Sequence, residues 1–163
     1  MTSFNLGLQR LAGYPLSHLI YEDPSAFPQE RFSPRGTVVT VFNPTVCQQC
    51  LEDGLVLMKK YQTDLIDHGL GLVAVVGETG KGTRTTIALL RDSKELDYHF
   101  EFVKAGHLES TFPFVHEARY IDEPIFLFID GNFRVASSFK PDCKRMPDLE
   151  SWFRSLLNKQ PSV

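Results

Sequence analysis

Cys47 and Cys50, in Val46-Cys47-Gln48-Gln49-Cys50, are thiols separated by two residues where an apolar run, Thr37-Val-Val-Thr-Val-Phe42, gives way to a helical pattern. That placement predicts a thiol pair at a helix N-terminus. Unpaired backbone N–H groups and the positive end of the helix dipole favour a thiolate there. Two cysteines three apart on one helical face can also close a short-loop disulfide. Strand, Cys-x-x-Cys and helix in that order are the signature of a dithiol redox centre. The alternatives are a zinc half-site or a chance pair. A zinc site needs about four ligands, and the chain has no second Cys-x-x-Cys.

The elements that would position this pair can be read from periodicity. Thr37–Phe42 is expected as a buried strand. Leu51, Leu55, Met58, Tyr61, Leu65 and Ile66 recur at helical spacing up to about His68, and Gly69 should stop that helix. Leu70–Val76 reads as a second buried strand, Thr83–Leu96 as a helix and His99–Val103 as a third strand. A helical or irregular stretch follows from Leu108 to Ala118. Ile125-Phe-Leu-Phe-Ile129 is the clearest strand after the cysteines. Asp130-Gly131-Asn132 then signals a hairpin into Phe133–Ser138. Leu149, Trp152, Phe153, Leu156 and Leu157 mark an amphipathic last helix from Pro147 to Leu157. This order implies an α/β fold with a mixed sheet covered on both faces. Residues 1–35 are punctuated by Gly13, Pro15, Pro24, Pro28 and Pro34, with Leu16–Tyr21 expected as a short strand. They read as an extension packed on a domain spanning 36–158. Residues 159–163 form a tail.

Composition narrows the function classes. The chain has 163 residues, 42% of them hydrophobic, enough for one domain with a real core, and its thirteen Phe predict a Phe-rich one. A net charge of -3 and a pI near 5.9 give no footprint for nucleic acid or an anionic membrane. No apolar stretch reaches the roughly 20 residues of a membrane span. Three cysteines, an odd number, argue against a disulfide-stapled secreted scaffold. The first residues, Met-Thr-Ser-Phe-Asn-Leu-Gly, lack a basic and an apolar segment and do not read as a secretory signal. With Met1 as the natural start the expected compartment is the cytoplasm; with a leader removed it is the periplasm or another extracytoplasmic space.

The element order, the Cys-x-x-Cys at the first long helix and Pro124 opening the hairpin resemble the thioredoxin superfamily over residues 36–158. The long stretch between motif and proline, with room for an extra helix and strand, is similar to the TlpA-like branch of thiol-disulfide oxidoreductases. That branch typically carries Trp-Cys-x-x-Cys-x-x-Glu, where this chain has Val46-Cys47-Gln48-Gln49-Cys50-Leu51-Glu52-Asp53. Pro124-Ile-Phe-Leu-Phe-Ile-Asp-Gly-Asn132 is similar to the branch's hairpin, with a shorter turn. The resemblance implies Cys47 as attacking thiolate, Cys50 as resolving thiol and Asp53 as the acid that moves protons near the buried cysteine. It also implies a redox disulfide between Cys47 and Cys50 and a cis-Pro124 that frees the backbone before it to pair with a substrate chain. Val46, Glu123 and Pro124 would then touch substrate. Protein dithiols or disulfides would be the substrates, an upstream dithiol the reductant, and no bound cofactor or metal would be needed.

Departures from that pattern have consequences. Val46 stands in place of Trp, so the rim is less aromatic. Neither central residue is Pro, and Leu55 stands where the branch often has a helix-kinking Pro. Glu123, Glu52 and Asp53 put carboxylates near Cys47 and oppose its ionisation. The expected activity is that of a reductant or mild exchanger. Val41 also occupies the usual place of a buried acid, leaving Asp53 as the in-motif proton acceptor.

Other constellations are weaker. A peroxiredoxin reading of Asn43-Pro44-Thr45-Val46-Cys47 fails on spacing, since Thr and Pro should lie three and seven residues before the cysteine. Gly77-Glu-Thr-Gly-Lys-Gly-Thr83 is not a Walker loop. It reads as a flexible loop with solvated Lys81 and Arg84, at the sheet edge where it could flank Cys47. Copper delivery in this superfamily uses Cys-x-x-x-Cys with a distant His, one residue longer than here, and the five histidines read as surface groups. Cys143 reads as a surface thiol. The competing function class is a thioredoxin-fold binding or scaffold module with a non-catalytic cysteine pair.

Overall fold

Every residue of the run Thr37–Phe42 is buried, because this strand lies at the centre of the sheet with pairing partners on both sides. The computed structural model describes residues 11–44, 48–112, 124–140 and 146–159. In chain order its elements are α1 (Leu16–Ile20), β1 (Thr37–Phe42), α2 (Gln48–Asp67), β2 (Gly71–Glu78), α3 (Thr83–Lys94), β3 (His99–Lys104), α4 (Ala105–Thr111), β4 (Ile125–Ile129), β5 (Val135–Phe139) and α5 (Met146–Lys159). Two 3-10 turns, Pro24–Ala26 and Gln29–Arg31, precede β1.

The described strands form a five-stranded sheet in the order β3-β2-β1-β4-β5. β1, β2 and β3 are parallel, and β4 and β5 are antiparallel to their neighbours. The C-terminal ends of the three parallel strands therefore share one edge, where β4 begins. The right-handed crossover rule puts α2 and α3 on one face. In agreement, Gln48 and Leu51 line a groove with Ile87 and Leu90. α5 joins them there, since Phe126 of β4 meets Trp152 and Phe153. The other face carries α1 and α4, linked by the Thr111 hydroxyl, which donates to the Leu19 carbonyl at 2.6 Å.

Helix α2 buries Cys50, Leu51, Gly54, Leu55, Met58, Tyr61 and Leu65, a stripe at three- and four-residue spacing. It ends as expected at Gly69, whose φ of 76° is left-handed. Leu70 N–H donates to Leu65 C=O and Gly69 N–H to Ile66 C=O, both at 2.9 Å, forming a Schellman cap. Ile66, grouped with the core from its spacing, is 56% exposed, because its neighbour Leu65 takes the inward position. α3 stops at Lys94, short of Leu96, since Glu95 adopts the left-handed conformation with φ 54°.

The expected strand Leu16–Tyr21 is instead helix α1. Leu16, Leu19 and Ile20 are its buried residues, which is helical spacing, and Pro15 precedes its first turn. The hairpin forms, but not through a left-handed glycine. Phe133 carries the positive φ (62°), and its ring lies edge-on to Phe27 and Phe32 at 5.5 and 6.3 Å. Gly131 is required by space instead, because a Cβ there would lie 2.2 Å from the Pro34 carbonyl oxygen.

Residues 11–21 run from one sheet edge to the other, and Phe27 and Phe32 return to Phe133. Leu16 N–H donates to Phe133 C=O and Val135 N–H to Tyr14 C=O, both at 2.9 Å, beside the start of β5. At the far side the Tyr21 hydroxyl donates to Glu101 on edge strand β3, whose other oxygen contacts His99 Nε2 at 2.8 Å. Burial, then the Glu101 carboxylate, holds the Tyr21 phenol well above its ordinary value. A raised folded pKa means this contribution is complete below the ordinary phenol range, near 10, and lost as pH climbs through the folded value. Tyr21→Phe should cost about 1 kcal/mol near neutrality. In urea denaturation the gap between the two proteins should narrow above pH ~10.

Candidate thiol site at the sheet edge

Asn43 and Pro44 follow β1, and α2 is described from Gln48 onward. Cys50 lies in the first turn of that helix, is 3% exposed and is disulfide-bonded. Val46, Cys47, Glu123 and Cys143 lie outside the described residues. So does the Glu123–Pro124 bond expected to be cis.

Pro124 is buried at the start of β4. Ile125 pairs with Val41, so the residue before it falls alongside the end of β1. Gly54, one turn after Cys50 on the same helical face, packs against β4 without a side chain of its own. A Cβ on Gly54 would lie 3.0 Å from Phe126 Cζ and 3.8 Å from Pro124 Cγ. The fold thus brings Pro124, distant in the chain, against the Cys50 face of α2. Gly54 does not stand out in the sequence. Its signal is a glycine inside a helical pattern that does not stop there, which costs about 1 kcal/mol relative to Ala and so needs a packing reason.

Asp53 and Glu52 are each tied to the helix start. The Gln49 amide donates to Asp53 Oδ1 at 2.8 Å, and the Gln48 amide to Glu52 Oε1 at 3.0 Å. Asp53, half-buried, lines a groove of about 370 Å³ with Val56, Leu57 and Lys60 of α2 and Pro147 and Glu150 of α5. In that groove Lys60 Nζ donates to Glu150 at 2.7 Å, which holds the Glu150 carboxyl below its ordinary range. Glu52 instead lines a groove of about 280 Å³ between α2 and α3, beside Pro44 and Leu89. Leu89 is 67% exposed. The Cys50 turn therefore sits between two shallow, largely apolar grooves.

The Gly77–Thr83 loop is at the same edge but is occupied with itself. Thr79 N–H donates to Thr83 Oγ1 at 3.2 Å. Arg84 is paired with Glu78 at 2.9 Å and stacked 4.8 Å from the Phe102 ring centroid. Lys81 is exposed, as expected. Among the described residues no group of three or more His, Cys, Asp or Glu could hold a metal ion, and no helix is long and apolar enough to cross a membrane.

A mixed five-stranded sheet with helices on both faces and the thiol-bearing helix leaving the central strand is the thioredoxin-like fold, and solved structures agree. A thioredoxin-like protein solved in its oxidised form superposes with a TM-score of 0.64 at 16% identity, covering 93% of this chain and 99% of that one. A thioredoxin-like protein from Porphyromonas gingivalis gives 0.55 at 19% identity, covering 77% and 78%. A thiol:disulfide interchange protein from a Bacteroides species gives 0.51 at 9% identity, covering 78% of each chain. No protein-family model and no curated protein matches the sequence.

Two Gly54 substitutions test the close approach. Gly54→Ala gains about 1 kcal/mol of helix propensity against a ring edge that must give by a few tenths of an ångström, so stability should change little. Gly54→Val adds branched bulk against Phe126 and Pro124 and should lose about 2 kcal/mol. Urea denaturation of both variants reads the difference.

Proposed function

We propose that this chain is a thiol-disulfide oxidoreductase that exchanges electrons with protein disulfides through a Cys47–Cys50 dithiol. The observation that carries the reading is the buried, disulfide-bonded Cys50 in the first turn of the helix that follows the central strand, with Pro124 packed one turn away. Burial suits a resolving thiol. It is shielded from outside disulfides and meets only a partner already attached next to it. The interchange activity named for the Bacteroides neighbour supports the same class.

In the reducing direction the Cys47 thiolate attacks one sulfur of the substrate disulfide. The new Cys47–substrate bond forms as the substrate's S–S bond breaks, and the released substrate thiolate takes a proton. Cys50 loses its proton and attacks Cys47 Sγ, which expels the second substrate thiol and leaves the Cys47–Cys50 disulfide. Two electrons pass to the substrate, and a separate dithiol protein returns them. Asp53, three residues after Cys50, is the carboxylate assigned to receive the Cys50 proton, directly or through water. Val46, Glu123 and Pro124 are assigned to the substrate-binding rim.

The second reading, a binding module with a structural cysteine pair, draws on the same burial of Cys50. One variant separates the two. Cys50→Ser removes the resolving thiol, so a protein disulfide substrate should accumulate as an adduct on Cys47, seen as a mass increase that dithiothreitol reverses. A structural pair gives no adduct, and that result would contradict the exchange mechanism.

A further inference from the structure

Asn43 is fully buried at the C-terminal end of β1, four residues before Cys47. A polar side chain in that position needs an explanation, because an unpaired buried amide is costly. Half of it is paired: Nδ2 donates to Glu109 Oε1 on α4 at 3.0 Å. Oδ1 has no hydrogen-bond partner among the described residues. It packs on the Gly77 backbone of β2, so tightly that a Cβ there would lie 1.9 Å from Oδ1 and 3.1 Å from Ala105 Cα. One side chain therefore fastens the exit of β1 to β2 and to α4. Glu109 is only half-buried.

We infer that Asn43, held by Glu109 and Gly77, is a positioning residue for the thiol site. It fixes the direction in which the chain leaves β1 and so where Cys47 is presented. This rests on the dithiol reading proposed above. A simple core residue at this strand end would be apolar, with no buried acceptor left over. The cost of an unpaired Oδ1 is explained if the amide is kept for the geometry it imposes. The constraint acts through a hydrogen bond that a neutral acceptor can also make. It does not need the Glu109 charge, which separates it from an acid–base role.

The test compares Glu109→Ala, Glu109→Gln and Asn43→Ala by rate of reduction of a protein disulfide, by reduction potential and by thermal denaturation. Glu109 is partly exposed, so both of its variants should fold. Glu109→Ala and Asn43→Ala should slow exchange by about tenfold, the order expected of a misplaced reacting group. Glu109→Gln, whose side-chain oxygen still accepts from Asn43, should retain the wild-type rate. Loss in both Glu109 variants would show that charge is what matters and overturn the inference. So would unchanged rates in all three, or a fall in rate matched only by a fall in folded protein. A wild type that performs no exchange would overturn the dithiol reading and this inference with it. With an exchanging wild type, the three variants test the role of Asn43 alone.

Discussion

The approach of α2 to the start of β4, with Gly54 against Phe126 and Pro124, is the contact on which the site depends. A helix on a sheet ordinarily stands off by the length of its side chains. Removing one Cβ lets α2 settle onto the hairpin strand one turn after the buried Cys50. The grip is completed further along the helix. Tyr61 stacks on Phe153 at 5.2 Å, and the Tyr98 hydroxyl, buried and held protonated far above its usual range, donates to Leu55 C=O at 2.9 Å. The thiol end of the helix is thus the packed first turn of a well-anchored element.

Two sides of the site are governed differently. The helix side is apolar packing, which resists compression but tolerates conservative exchange. The strand-exit side is polar, through the hydrogen bond from Asn43 to Glu109, and a buried pair of that kind costs most when one partner alone is removed. Both sides flank the stretch of chain that carries Cys47 in the sequence.

Much of this is legible in the sequence where one physical signal dominates. Thr37–Phe42 and Ile125–Ile129 can be read to the residue, because these buried strands are apolar or β-branched runs bounded by Gly36 and Asn43 and by Pro124 and Asp130. Gly69 is legible as a helix stop because glycine alone adopts that conformation without strain. α1 is not, because so short a segment holds too few turns to distinguish a period of two from one of 3.6. The end of α3 escapes the pattern because Glu95 takes a left-handed conformation that its residue type does not advertise. In the site, the cysteines and Pro124 stand out by type and spacing. Gly54 and Asn43 do not, since their roles exist only through Phe126 and Glu109, residues far from them in the chain.

Whether the disulfide on Cys50 is a working redox couple decides the function of the site. The most direct measurement is a titration of the wild type and Cys47→Ser in glutathione or dithiothreitol buffers, read by the mass shift on thiol alkylation. A working couple gives a reversible two-electron transition between roughly -180 and -290 mV, within the range of exchanging dithiols, that is lost in Cys47→Ser. A disulfide that stays oxidised far below that range, or a transition that survives without Cys47, would contradict it.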